Sequence, residues 1–114
     1  MSDCLFCSIV SGTITANVVY QDDSVVAFKD IRPVAPVHFL IIPRKHIVSI
    51  LDLEVDDEAL LGRIFQVAGR LARDHGIAQS GFRLVVNAGP DAGQSVFHVH
   101  YHLLGGRQMN WPPG

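Results

Sequence analysis

Hydrophobic positions along this chain alternate, then recur at helical spacing, then alternate again. Val18-Val19-Tyr20 and Val25-Val26-Ala27-Phe28 flank the polar Gln21-Asp22-Asp23-Ser24, which predicts a β-hairpin with a short turn. Pro33 and Pro36 mark a loop, after which His38-Phe39-Leu40-Ile41-Ile42 predicts a third, nearly all-apolar strand closed by Pro43. From about Asp56 to His75, Leu60, Leu61, Ile64, Phe65, Val67, Ala68, Leu71 and Ala72 fall on one helical face, suited to covering a sheet. Asp56, Asp57 and Glu58 stand where a helix dipole favours anions, Arg70, Arg73 and His75 where it favours cations, and Gly76 is a natural terminator. Phe82-Arg83-Leu84-Val85-Val86-Asn87 predicts a fourth strand and Phe97 to Leu104 a fifth. Strands joined by short turns, with a single long helix between the third and fourth, define an α+β fold with a mainly antiparallel sheet. No repeat, linker or low-complexity segment divides the chain, so residues 1–114 read as one domain.

The fifth strand carries unusual chemistry. In Phe97-His98-Val99-His100-Tyr101-His102-Leu103-Leu104 three of the six histidines alternate with apolar residues. On a strand the imidazoles share one face, while Phe97, Val99, Tyr101 and Leu103 pack the other. A strand rises ~3.3 Å per residue, so neighbouring histidines lie ~6.6 Å apart and the outer pair ~13 Å apart. Three rings so spaced do not converge easily on one metal. They suit separate duties instead: one as nucleophile or base, its neighbours orienting it or meeting substrate charge. The apolar interleaving also separates the run from a purification tag.

Composition narrows the partners. A chain of 114 residues, 48% hydrophobic, buries a real but small core, which an added interface would help. The helix and the strand near Phe82 to Asn87 supply apolar surface for one. A net charge of −2 offers no polybasic face for nucleic acid, and runs such as Phe39 to Ile42 are too short for a membrane span. Met1-Ser2-Asp3-Cys4 lacks the features of a secretory leader, so the expected compartment is the cytoplasm, where Cys4 and Cys7 suggest a metal site or buried thiols rather than a disulfide. The loop Asn87-Ala88-Gly89-Pro90-Asp91-Ala92-Gly93-Gln94-Ser95 runs straight into the histidines. Its glycines permit an anion-binding turn, with Gln94 and Ser95 near enough to donate to the same ligand.

His98-Val99-His100-Tyr101-His102-Leu103-Leu104 resembles the signature of the histidine triad (HIT) superfamily. Gly93-Gln94-Ser95-Val96-Phe97, Gly105-Gly106-Arg107 and Trp111-Pro112-Pro113-Gly114 are similar to its Hint branch, the histidine triad nucleotide-binding proteins. So are Ala35-Pro36-Val37-His38-Phe39 and Ile42-Pro43-Arg44-Lys45-His46. The resemblance spans nearly the whole chain. It implies a HIT-like fold, a five-stranded half-barrel sheet with one long helix and a short N-terminal helix, and a homodimer. It also implies an enzyme, a purine nucleoside phosphoramidase acting on adenosine 5'-monophosphoramidate and aminoacyl or lysyl adenylates through a nucleotidyl-histidine.

By position, the resemblance makes His100 the nucleophile, with His38 orienting it or holding its proton. His102 and the backbone of Gly93 to Ser95 stabilise phosphoryl charge, Ser95 helps protonate the departing amine, and His98 completes the catalytic set. Asp30 meets the ribose, and Asn87 and Gln94 lie on the phosphate side. Leu5, Phe6, Ile9, Phe28 and Ile31 form the purine slot, although from sequence alone they read equally as core. Trp111 reaches toward the partner subunit's site or packs on its own subunit. Some bacterial members carry a structural zinc, here implied on Cys4, Cys7, His46 and His98, which would withdraw His98 from proton chemistry. The other reading of the cysteines is two buried thiols in a short helix. No organic cofactor is expected. Two further readings compete: a nucleotide-binding adaptor with vestigial hydrolysis, and a metal-dependent hydrolase using a His-x-His pair, for which no acidic ligand stands near the strand.

Overall fold

The computed structural model describes residues 3–114; Met1 and Ser2, part of the stretch read for a leader, lie outside the described residues. Helix α1 (Leu5–Val10) precedes strands β1 (Val18–Gln21), β2 (Val25–Lys29) and β3 (Val37–Pro43). Helix α2 (Glu58–Asp74) and strands β4 (Phe82–Val86) and β5 (Tyr101–Gly105) follow. Every neighbouring pair is antiparallel, in the order β1-β2-β3-β5-β4. The chain therefore forms the expected α+β architecture, an open five-stranded antiparallel sheet with one long and one short helix. β5 is inserted between β3 and β4, which makes β4 an edge. The β1–β2 turn is fixed by the Asp22 carboxylate, which accepts the N–H groups of Ser24 and Val25 at 2.8 and 2.9 Å.

The alternation of each strand divides the core in two. Val25, Ala27, Phe39, Ile41, Tyr101 and Leu103 pack with Ile64, Val67, Ala68, Leu71 and Ala72 of α2. Val26, Phe28, Leu40 and Ile42 face the other way and pack with Phe6 of α1. By the same parity His38 and His102 lie on the α1 face. β3 is thus covered on both sides, which is why it reads as an unbroken apolar run rather than an alternating one. The face the sheet turns toward α1 is the face that carries His38 and His102.

Three local expectations are corrected. Regular pairing of the histidine strand begins only at Tyr101. The preceding stretch bends, held by the Val99 N–H on the Ile47 carbonyl at 2.6 Å. Val99 still reaches the core, but the bend turns Phe97 outward, 63% exposed. The long helix starts at Glu58 because Val55–Asp57 forms a separate 3-10 turn. There the buried Asp57 carboxylate accepts the Glu54 N–H at 3.0 Å and binds Lys45 Nζ at 2.8 Å, tying the turn to the end of β3. Phe65, placed on the buried face by spacing, lies at its margin and is 60% exposed. At the other end His75 caps α2 as expected, and its ring also packs edge-on against Phe39 at 4.7 Å. Among the described residues no helix is long and apolar enough to cross a membrane.

Candidate active site and metal centre

The bend before β5 sends the histidines to different surroundings. His98 is fully buried, and its Nδ1 lies 3.4 Å from Cys4 Sγ, 3.5 Å from Cys7 Sγ and 3.2 Å from His46 Nδ1. His46 Nδ1 is in turn 3.3 Å from Cys7 Sγ. Four donor atoms thus converge from the start of α1, the exit of β3 and the entry to β5. A tetrahedral zinc with bonds of ~2.3 Å to sulfur and ~2.0 Å to nitrogen would separate its ligands by ~3.3–3.8 Å, close to the observed spacings. The proton on His98 also suits a metal. Nε2–H donates to the Pro43 carbonyl at 2.8 Å, leaving the Nδ1 lone pair toward the cysteines, as ligating histidines usually fix their other ring nitrogen on a carbonyl. Burial pushes the His98 pKa down; the Pro43 contact opposes this, and the nearby His46 and His100 add to it, so the ring is neutral near pH 7.

A second cluster joins Asp30, His38 and His102. Asp30 places an acidic group beside the histidine strand, contrary to the expectation that none stands there. It follows β2, far away in sequence, and sheet pairing brings it alongside. The cluster does not fit a metal, however. His38 Nδ1 accepts the Val34 N–H at 3.1 Å, so its proton sits on Nε2, the atom that faces Asp30 Oδ2 at 3.3 Å and His102 Nδ1 at 2.9 Å. No lone pair remains on Nε2 for an ion. The contacts instead form a directed chain: His38 Nε2–H donates to His102 Nδ1, which leaves His102 with its proton on Nε2. Burial, with the neighbouring His100 and His38 next in importance, lowers the His102 pKa to about 4 despite Asp30. His38 is lowered too, by burial against the opposing pull of Asp30. His102 is therefore a neutral N–H donor near neutral pH.

His100 is held differently. Its Nδ1–H donates to the His98 carbonyl at 2.8 Å, so Nε2 carries the lone pair. Its ring meets Phe6 edge-on at 5.0 Å and lies 5.1 Å from the His102 ring. A ring nitrogen with a free lone pair and a neutral N–H donor thus stand on neighbouring rings. The ring that His38 orients directly is His102, not His100.

A cavity of about 450 Å³, within the range of small-ligand sites, opens on the α1 face. Leu5, Phe6, Ile9, Phe28, Asp30 and Ile31 all line it, and Phe6 and Asp30 connect it to the histidines. Leu40, Ile14 and Ala16 line it as well. Leu40 was findable, since it alternates with Ile42, whereas Ile14 and Ala16 sit in a connection without periodicity. The phosphate loop is less open than its glycines suggest. The Gly93 N–H is spent on the Pro90 carbonyl at 3.0 Å and the Gln94 N–H on the Gly89 carbonyl at 3.1 Å. The Gln94 side chain donates to the carbonyls of Val48 and Val96 and accepts the Gly89 N–H. Gln94 therefore shapes the loop rather than offering its amide to a ligand, and of these three N–H groups Ser95 alone is not committed within the loop. Ser95 is exposed at a more open hollow of about 590 Å³ on which Cys4, Leu5 and His46 also border. Asn87, just past β4, is half-buried. Trp111 remains 80% exposed, its ring 5.8 Å from the Arg83 guanidinium on the edge strand, so packing within its own chain does not cover it.

These features have close counterparts. A family model described as the HIT domain matches residues 11–109. A HIT family hydrolase from Legionella pneumophila superposes with a TM-score of 0.96 at 54% identity, covering 98% of this chain and all of that one (100%). A histidine triad nucleotide-binding protein from Candida albicans superposes with a TM-score of 0.82 at 29% identity, over 96% of this chain and 83% of its own. A relative from Brassica juncea, named as a 14 kDa zinc-binding protein, is 47% identical over 98% of this chain and 100% of its own. The chain belongs to the HIT domain family and has the fold of its hydrolases, and its paired cysteines fit the bacterial type.

Proposed function

We propose that this protein hydrolyses the P–N bond of purine nucleoside phosphoramidates, such as adenosine 5'-monophosphoramidate, through a nucleotidyl intermediate on His100. The observation that carries the reading is the opposite protonation of two adjacent rings, a lone pair on His100 Nε2 and a proton on His102 Nε2. The nucleotide-binding relative and the hydrolase relative support the substrate class and the reaction type.

In the first step a P–Nε2 bond forms and the P–N bond to the amine breaks. The positive charge that develops on His100 is shared through Nδ1–H with the His98 carbonyl. The His102 N–H and the Ser95 N–H stabilise charge on the phosphoryl oxygens, and the Ser95 hydroxyl passes a proton to the departing amine. Water then attacks phosphorus and returns a proton to the Ser95 oxygen, His100 leaves as neutral imidazole, and the nucleoside monophosphate departs. Asp30 meets the ribose, the cavity between α1 and β2 holds the purine, and Asn87 steadies the phosphate side. Steady-state assay with adenosine 5'-monophosphoramidate tests this: release of ammonia and nucleoside monophosphate in equal amounts is expected, and nucleotide binding without turnover would favour an adaptor.

The tautomer assignment makes its own prediction. Nitrogen-resolved NMR at pH 7 should show His102 neutral with its proton on Nε2, and protonation should begin only well below pH 6. A cationic His102 at pH 6 would contradict the relay. Because the folded pKa lies below the ordinary histidine value, the unfolded chain takes up the proton first. His102 should therefore cost stability increasingly as pH falls from about 6.5 toward 4, visible as a declining Tm.

The zinc reading rests on the fit of the four donors, and Cys4, Cys7, His46 and His98 would hold the ion in a closed structural site. The ion would anchor the fold rather than supply an activated water. A homodimer is proposed from edge strand β4, which presents unpaired backbone groups and the 41% exposed Phe82, with Trp111 beside it. Trp111 then shapes the leaving-group side of the partner subunit's site. Sedimentation should give a dimer at micromolar concentration and a monomer for Phe82→Glu; a wild-type monomer would refute it. The proposed compartment is the cytoplasm.

A further inference from the structure

We infer that occupation of the Cys4, Cys7, His46 and His98 cluster sets the nucleotide affinity of the cavity, so that zinc and a purine nucleotide bind this chain with positive coupling. This rests on the reading of that cavity as a purine nucleotide site and of the cluster as a zinc site.

The argument begins with α1, a helix of only six residues. So short a helix has no intrinsic stability in water and persists only where something holds it. It packs on the sheet through one buried side chain, Phe6, set among Val26, Phe28, Leu40 and Ile42, with Ile9 and Val10 only partly buried beside it. Cys4 and Cys7 bracket its first turn, and Cys4 Sγ accepts the Cys7 N–H at 3.4 Å. The two residues between them are walls of the cavity. Leu5 lines it while 45% exposed, and Phe6 is 4% exposed with its ring edge-on to Phe28 at 5.5 Å. An ion gripping both thiolates and the buried His98 would therefore fix the cavity wall against the sheet. The same Phe6 ring rests on His100 at 5.0 Å and on His98 at 6.0 Å.

A second connection leaves the cluster through the backbone. His98 contributes its ring to the cluster and its carbonyl to His100 Nδ1 at 2.8 Å. That bond is made by backbone which the Val99 N–H to Ile47 contact also holds, so the coupling of the two ligands runs through α1. A nucleotide seated between α1 and β2 needs α1 in place, and so does the ion. Whichever binds first removes the ordering cost for the other, and the coupling must be equal in both directions. Its expected size is on the order of tenfold in each affinity.

The test uses the full-length protein and adenosine 5'-monophosphate as probe. Calorimetry on zinc-loaded and chelator-stripped protein should give a nucleotide Kd about tenfold weaker after stripping. Zinc affinity, by competition with a chromophoric chelator, should tighten by the same factor at saturating nucleotide. Phe6→Ala should keep one zinc per chain, weaken nucleotide binding and erase the effect of nucleotide on zinc. Nucleotide bound equally well with and without zinc would overturn the coupling while leaving the nucleotide site standing. No nucleotide binding by the loaded protein would remove both. Loss of the whole fold on stripping, seen by far-UV circular dichroism, would overturn the local route through α1, as would a Phe6→Ala protein in which the two ligands remain coupled.

Discussion

Replacing His100 by alanine is expected to lower kcat for P–N cleavage by about four orders of magnitude while changing nucleotide affinity only a few-fold. The size follows from the commitments of the other rings. His98 turns Nδ1 toward Cys4 and Cys7 and spends its proton on Pro43. His38 has Nδ1 occupied by the Val34 N–H and Nε2 facing Asp30 and His102. His102 accepts at Nδ1 and carries its proton on Nε2. None can substitute as the nucleophile, so the two-step path closes. Binding survives because the cavity is lined by α1, β2 and the segments beside them; His100 lies behind the Phe6 ring, which it meets edge-on at 5.0 Å. His102→Ala, which removes one donor from the phosphoryl oxygens, should cost less, about 10²–10³-fold in kcat. Pre-steady-state kinetics separates the two, and near-wild-type kcat in His100→Ala would overturn the mechanism.

The second large effect belongs to the metal centre. Protein purified without chelator should contain about one zinc per chain. Cys4→Ser combined with Cys7→Ser should lose it and lower Tm by roughly 10 °C, a larger proportional loss than in kcat. The thiolates are the charged ligands, and His46 and His98 alone cannot close a four-coordinate site. The loss falls on α1, whose anchoring to the sheet is otherwise slight, while the His98 carbonyl and the His38 to His102 contact remain. Elemental analysis finding no zinc, together with an unchanged Tm in the double variant, would leave Cys4 and Cys7 as ordinary thiols.

What the chain discloses in sequence follows from the range of the interaction concerned. The hairpin, β3 and α2 are legible because alternation, helical spacing and Gly76 are local signals. The departure at Asp57 was not, since its turn is fixed by Lys45 across a gap in sequence. The separate surroundings of the three histidines are in keeping with strand spacing, but the bend at residues 96–98 that sends His98 into the cysteine cluster depends on contact with Ile47. Asp30 shows the same limit most clearly. Read locally it is an acid after a strand; only the β2–β3–β5 pairing sets it beside His38 and His102. Gln94 errs in the opposite direction, because a polar side chain in a glycine-rich loop suggests a ligand contact when its partners are carbonyls of Val48 and Val96.

The central claim is a covalent nucleotide on His100, and trapping it is the most direct test. Wild-type protein mixed with excess adenosine 5'-monophosphoramidate, quenched within the first turnover in base and digested, should yield an adenylylated peptide with the modification on His100. The adduct should disappear as substrate is exhausted and be absent from His100→Ala. Full turnover with no adduct at any time, or an adduct on a different histidine, would contradict the account.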